Sequence, residues 1–336
     1  MMHSGLGKYK LTANKKSIIL AYLQQGIRKL SSSPRLDGEE EPTRHCCTCS
    51  CPQEFHPLPP PLPKPNYSVY KRVLPDTLTS LSSSRGRKLL MESLSSSPDS
   101  PYWCLTEHFQ NQSDPAFCGV TTLIMILNSL AMDPQIRWRG GWRFYGSEDV
   151  LISKCCISDE RIRRIGITME EFQQLAQCQG MRVEMKRPDG IESLEAFRRD
   201  VKFANANGGE KMIRLVCSFS RSSLGQTGDG HFSPVGAYHE HSDSVLIMDV
   251  ARFKYPPYWV SLIDLYQAMV PLDEASQQPR GWFLMTAPPR HQNYKEEYRR
   301  PASLVPLVGE PDVCPIGEIK VQFCKIGTIS KDHDNR

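Results

Sequence analysis

Residues 110–134 read QNQSDPAFCGVTTLIMILNSLAMDP, and the apolar run after Cys118 in that stretch decides the fold. Val120, Leu123, Ile124, Leu127 and Leu130 recur at helical spacing, which predicts a buried helix. Asp114 is placed to cap it and Pro115 to fill its first position. Cys118 would then sit in the first turn, where the positive end of the macrodipole and unpaired N–H groups favour thiolate over thiol. Its own backbone N–H and the side-chain amide of Gln112, six residues upstream, are the expected donors to an oxyanion.

Further along, HFSPVGAY (231–238) and VLIMDVARF (245–253) flank a polar segment from His239 to Ser244 and read as a hairpin. Pairing centred near residue 240 or 241 brings His231 opposite Asp249 within about two residues, at Cβ separations of roughly 5 to 8 Å. Glycines at 225, 228 and 230 let the backbone before His231 approach a ligand closely. Taken singly, a cysteine opening an apolar helix is usually a packing residue, and an aspartate ending a strand is a common turn residue. Taken together, the four side chains form a set in which a thiolate attacks a carbonyl, an imidazole carries the proton and a carboxylate fixes the imidazole tautomer.

These residues lie in long words that resemble the phytochelatin synthase family, a branch of the papain-like clan. The words are 110–134, QTGDGHFSPVGAYH (226–239) and LIMDVARFKYPPYWVSL (246–262). RWRGGWRFY (137–145), Cys155 with Cys156, GITMEEFQQLAQCQG (166–180) and YKRVLP (70–75) link them, so the resemblance spans about residues 67 to 290. It implies an α+β, papain-like fold in which a helical lobe presents Cys118 and an antiparallel sheet lobe presents His231 and Asp249 across a cleft. It also implies Cys118 as nucleophile, His231 as general base and acid, Asp249 as orienter and Gln112 as oxyanion donor. Arg221, Arg252 and Tyr255 fall where contacts to substrate carboxylates or to the acceptor molecule are expected. Two departures stand out. Phe117 replaces the usual tyrosine before the nucleophile, and Asp229 precedes Gly230 and His231, where its carboxylate would favour a charged imidazole and repel an anionic substrate.

The reaction so implied uses glutathione twice. Cys118 takes the γ-Glu-Cys unit as a thioester and glycine leaves, after which the amine of a second glutathione or of a phytochelatin chain accepts the unit. Water in place of that amine would make the chain a deglycylating peptidase, and a thiol-rich metal buffer is a third reading. No bound cofactor is expected. Cadmium or zinc would enter as a metal thiolate of glutathione, as part of the substrate.

The remaining sequence frames this core. Residues 1–36 hold seven Lys or Arg, no acidic residue, several serines and a helical pattern from Asn14 to Leu30. They read as a mitochondrial transit peptide, with a basic tail on a cytoplasmic protein as the alternative. Residues 37–66 read as a linker in which Cys46, Cys47, Cys49 and Cys51 precede a proline-dense extended run. That cluster is spaced more tightly than common zinc motifs. Residues 291–336 form a short tail. The other 300 residues carry 34 basic against 37 acidic side chains, which offers no nucleic-acid footprint. No apolar run reaches the roughly 18 residues of a membrane span. Twelve cysteines with no secretory signal suit a reducing compartment. The sequence leaves a homodimer open.

Overall fold

A computed structural model describes residues 67–153, 157–188, 191–209 and 212–288, which carry the candidate site. The expectations for the leader, the cysteine-rich and proline-rich linker, Cys155, Cys156 and the C-terminal tail lie outside these residues. Within them the helices are α1 (Ser84–Ser96), α2 (Tyr102–Glu107), α3 (Cys118–Ser129), α4 (Glu148–Ile152), α5 (Asp159–Ile165), α6 (Met169–Cys178), α7 (Ile191–Ala206) and α8 (Leu262–Gln267). The strands are β1 (Thr79–Ser80), β2 (Arg182–Lys186), β3 (Ile213–Ser220), β4 (Gly230–His239), β5 (Ser244–Ile247), β6 (Tyr258–Ser261) and β7 (Gly281–Thr286). They form one antiparallel sheet in the order β1-β6-β5-β4-β3-β7-β2. The architecture is α+β, and no helix among the described residues is long and apolar enough to cross a membrane.

Both faces of the sheet are covered. On β3, Ile213, Leu215, Cys217 and Phe219 pack with Phe197 and Val201 of α7 and Leu262 and Leu265 of α8. Val216 points the other way, into a cluster with Phe232 and Phe283, the apolar face of α3 and Phe172 of α6. A strand with a core on each side loses the polar half of its alternation, and every residue of β3 is accordingly buried. The Cys118 helix packs on one face of the antiparallel sheet, which is the α+β, papain-like combination of a helical part and a sheet that was expected.

Helix α3 is buried almost all round. Leu123, Ile124 and Leu127 are fully buried, each worth about 1.5–3 kcal/mol of transfer free energy. Its polar side chains are satisfied. Thr121 donates to Glu148 Oε1 at 2.8 Å, Thr122 to the Phe232 carbonyl at 3.1 Å and Asn128 to the Tyr145 carbonyl at 3.0 Å. At its C-terminus the buried Arg214 donates to the hydroxyl and the carbonyl of Ser129, at 2.9 and 2.8 Å. A guanidinium there satisfies an orphan carbonyl and complements the negative end of the helix. Gly119 permits close packing at the other end, since a Cβ there would stand 2.6 Å from Cδ1 of Ile167.

Candidate active site

The helix begins three residues later than Pro115. Asp114 Oδ1 accepts the Ala116 N–H at 2.9 Å and the Asp114 carbonyl accepts the Phe117 N–H at 3.0 Å. Residues 114–117 are thus spent on a turn, which Asp114 caps in place of the helix. Cys118 itself becomes the first helical residue, and its N–H makes no hydrogen bond among the described residues. The turn is clamped from outside. Arg163 reaches Asp114 Oδ2 at 3.1 Å and lies 4.7 Å over the Phe117 ring. The buried Glu148 accepts the Ser113 N–H at 3.1 Å with the same oxygen that holds Thr121, tying the loop to α3.

His231 is the second residue of β4, and Asp249 follows β5 by two residues. The hairpin pairs His239 with Ser244 and Val235 with Ile247, with a register shift at Gly236. Asp249 therefore lies past the paired region, and its side chain reaches back to His231. Nε2 of the imidazole is 3.0 Å from Asp249 Oδ1 and 2.9 Å from the Ser233 hydroxyl. The carboxylate also accepts the Ala251 N–H at 2.8 Å, and Arg221 Nη2 stands 2.9 Å from each of its oxygens and 3.0 Å from His231 Nε2. Phe219 meets the imidazole edge-on at 5.6 Å. These contacts occupy Nε2, and no hydrogen bond to Nδ1 occurs among the described residues.

Burial governs the charges. His231 is held down to about 4, first by its removal from water and then by the neighbouring Arg221, against the pull of Asp249. Burial works against ionisation of Asp249 as well, but His231, Arg221 and the Ala251 N–H outweigh it and bring the carboxyl to about 2. Burial pushes the Cys118 thiol up, opposed by the N–H groups of Phe232 and Gly119 and by Arg221. This works against the thiolate expected at the helix terminus. Favourable placement at a helix terminus contributes about 0.3–1 kcal/mol, less than the cost of burying an unpaired charge. Both shifts favour the uncharged thiol and the uncharged imidazole.

Cys118, His231 and Gln112 line one cavity of about 340 Å³. The amide of Gln112 is not free there, because Nε2 donates to the carbonyls of Asp114 and Pro115 at 2.8 and 2.9 Å. Arg221 lines the cavity too, and its guanidinium is engaged by Asp249, Gln226 and His231, so it braces the imidazole and carboxylate. Arg252 and Tyr255 do not line the cavity. Arg252 is exposed, 4.8 Å over Phe109, whereas Tyr255 is buried, accepts the Thr227 N–H at 2.8 Å and lies 5.3 Å beneath the Arg221 guanidinium. Asp229 reaches the cavity but is held by Arg280 at 2.9 Å, which answers its charge and keeps it from acting on the imidazole. Sequence reasoning missed Ser233, Glu148, Arg280 and the lining cations Lys71, Arg72 and Lys254. The three cations lie inside YKRVLP and ARFKYPP, stretches that carry the family resemblance, whereas nothing local marks the others. Among the described residues no group of three or more His, Cys, Asp or Glu side chains is placed to hold a metal ion.

Comparison with known proteins gives a family. The phytochelatin synthase family profile matches residues 69–282. A glutathione gamma-glutamylcysteinyltransferase of Schizosaccharomyces pombe is 45% identical over 218 residues, covering 65% of this chain and 51% of the relative. Glutathione gamma-glutamylcysteinyltransferase 1 of Triticum aestivum is 40% identical over 65% of this chain and 43% of its own length. The enzyme of the same name from Lotus japonicus is 38% identical, over 66% and 43%. The chain spans about half the length of the curated relatives it matches.

Proposed function

Because the chain belongs to the phytochelatin synthase family, we propose that it moves the γ-Glu-Cys unit of glutathione to a second glutathione or phytochelatin chain, releasing glycine. The observation that carries this reading is the buried His231–Asp249 contact opening onto the same cavity as Cys118. As the sulfur attacks the cysteinyl carbonyl, its proton passes to His231 Nδ1, the nitrogen that Asp249 leaves open. The imidazolium so formed is stabilised by Asp249, and the oxyanion by the Cys118 N–H. The Gln112 amide joins as a second donor once substrate draws one of its N–H bonds from a loop carbonyl.

Collapse of the tetrahedral intermediate breaks the Cys–Gly amide, and the imidazolium returns its proton to the departing glycine nitrogen. A thioester of γ-Glu-Cys remains on Cys118. The α-amine of the acceptor attacks it and passes a proton to His231, and the new amide leaves as Cys118 recovers its thiol. Because one amide is exchanged for another, no nucleotide is consumed. Cadmium or zinc enters as substrate, bridged by glutathione sulfur in the acceptor. Residues 67–290 form the catalytic unit in this proposal. Residues 1–36 direct it to mitochondria, residues 37–66 act as a linker, and residues 291–336 are a tail.

Incubation of the full chain with glutathione and cadmium, followed by mass analysis, tests the reading. Free glycine together with lengthened γ-Glu-Cys peptides is expected. Glycine alone would make the chain a deglycylating peptidase, and neither product would leave only the thiol-buffer reading. Cys118→Ser should abolish glycine release while retaining the fold, since a hydroxyl is a far weaker nucleophile. Turnover by that variant would remove Cys118 from the chemistry.

A further inference from the structure

One wall of the cavity takes no part in the acyl-transfer steps. Residues 67–75 precede the first strand and run along that wall, so that Lys71 and Arg72 join Lys254 in lining it. The segment is held in its second half. The Arg72 N–H donates to the Lys254 carbonyl at 3.0 Å, and Leu74 packs on the core cluster below. Lys71 adopts the left-handed conformation at φ 58°, which is uncommon for a residue with a side chain and turns the chain so that the Arg72 N–H can make that bond. On the other side, Gly228 at φ 94° leaves room for Lys254, since a Cβ there would stand 2.8 Å from Nζ.

Three cations thus line one mouth, and among the described residues none of them forms a salt bridge with a carboxylate, Asp249 acting on Lys254 only from a distance. The other charges facing the cavity are answered: Arg221 by Asp249, and Asp229 by Arg280. Like charges held together with no counter-ion repel one another, and the arrangement becomes favourable when an anion arrives. We infer that Lys71 and Arg72, with Lys254 beside them, form a subsite that grips a carboxylate of the peptide substrate, which makes the 67–75 strap a determinant of substrate specificity. This rests on the acyl-transfer reading only for the identity of the peptide. Glutathione offers two such carboxylates, one on glycine and one on the γ-glutamyl α-carbon, and the subsite chemistry suits either.

The test compares the native full chain with Lys71→Ala/Arg72→Ala and with the charge-keeping Lys71→Arg/Arg72→Lys. The alanine pair should raise KM for glutathione in glycine release by about 10-fold while kcat changes little, and the charge-keeping pair should restore it. Glutathione with its glycyl carboxylate masked as an ethyl ester identifies the group held. If the native chain discriminates against the ester and the alanine pair does not, the glycyl carboxylate is bound; equal discrimination by both assigns the γ-glutamyl one. An unchanged KM, or a charge-keeping pair as impaired as the alanine pair, overturns the subsite and leaves acyl transfer standing. Calorimetric titration of glutathione into the Cys118→Ser chain, with and without the strap substitutions, reads binding apart from turnover. Strap-dependent binding without any glycine release by the native chain would keep the subsite and remove acyl transfer, and absence of both would remove both.

Discussion

At the residue scale, the resting charges of Cys118 and His231 decide how the pair works. Burial favours the neutral form of both, which couples attack to proton transfer when a carbonyl is in place. Alkylation of the free chain by iodoacetamide should therefore rise with pH through an apparent value above that of an ordinary thiol. A plateau of reactivity at neutral pH would instead indicate a preformed ion pair. Asp249 has a second duty, since it balances the buried Arg221. Asp249→Asn keeps the shape but strands that guanidinium, and should cost about 3–5 kcal/mol in denaturant unfolding as well as activity. A variant as stable as the native chain would show that the carboxylate only orients the imidazole.

At the scale of the element, α3 is placed by polar contacts at its ends and by apolar packing between them. Glu148 carries the N-terminal end, holding the Ser113 N–H and the Thr121 hydroxyl with one oxygen. Glu148→Ala should lower stability by about 2 kcal/mol and slow acyl-enzyme formation by about 10-fold or more, as the loop before Cys118 loosens. Glu148→Gln keeps an acceptor oxygen and should recover most of both; a glutamine variant no better than alanine would mean that the charge itself is required. The helix and the hairpin were legible in the sequence because their apolar residues follow the two regular periods. The start of α3 was not. Asp114 and Pro115 have the chemistry of a helix cap, but the Asx turn closed by the Ala116 N–H and the clamp from Arg163 divert them to a turn. The bulge at Gly236 is likewise invisible to alternation, and it leaves Asp249 beyond the paired residues.

At the scale of the whole molecule, the described residues hold both hydrophobic clusters and the candidate site, and the role proposed for residues 1–36 is tested apart from them. Fusion of residues 1–36 to a fluorescent reporter should bring the reporter into mitochondria, and diffuse cytosolic signal would reject the leader. By itself the sequence determined the α+β class, the helix carrying Cys118 and the candidates His231 and Asp249, because those depend on periodicity, residue chemistry and order along the chain. Only the tertiary structure decided the charge state of the pair, the commitment of Gln112 to its own loop, the bracing role of Arg221 and the cationic wall of residues 67–75. Each of these depends on which groups are removed from water and which partners distant segments bring within hydrogen-bond reach, and neither quantity is written in local sequence.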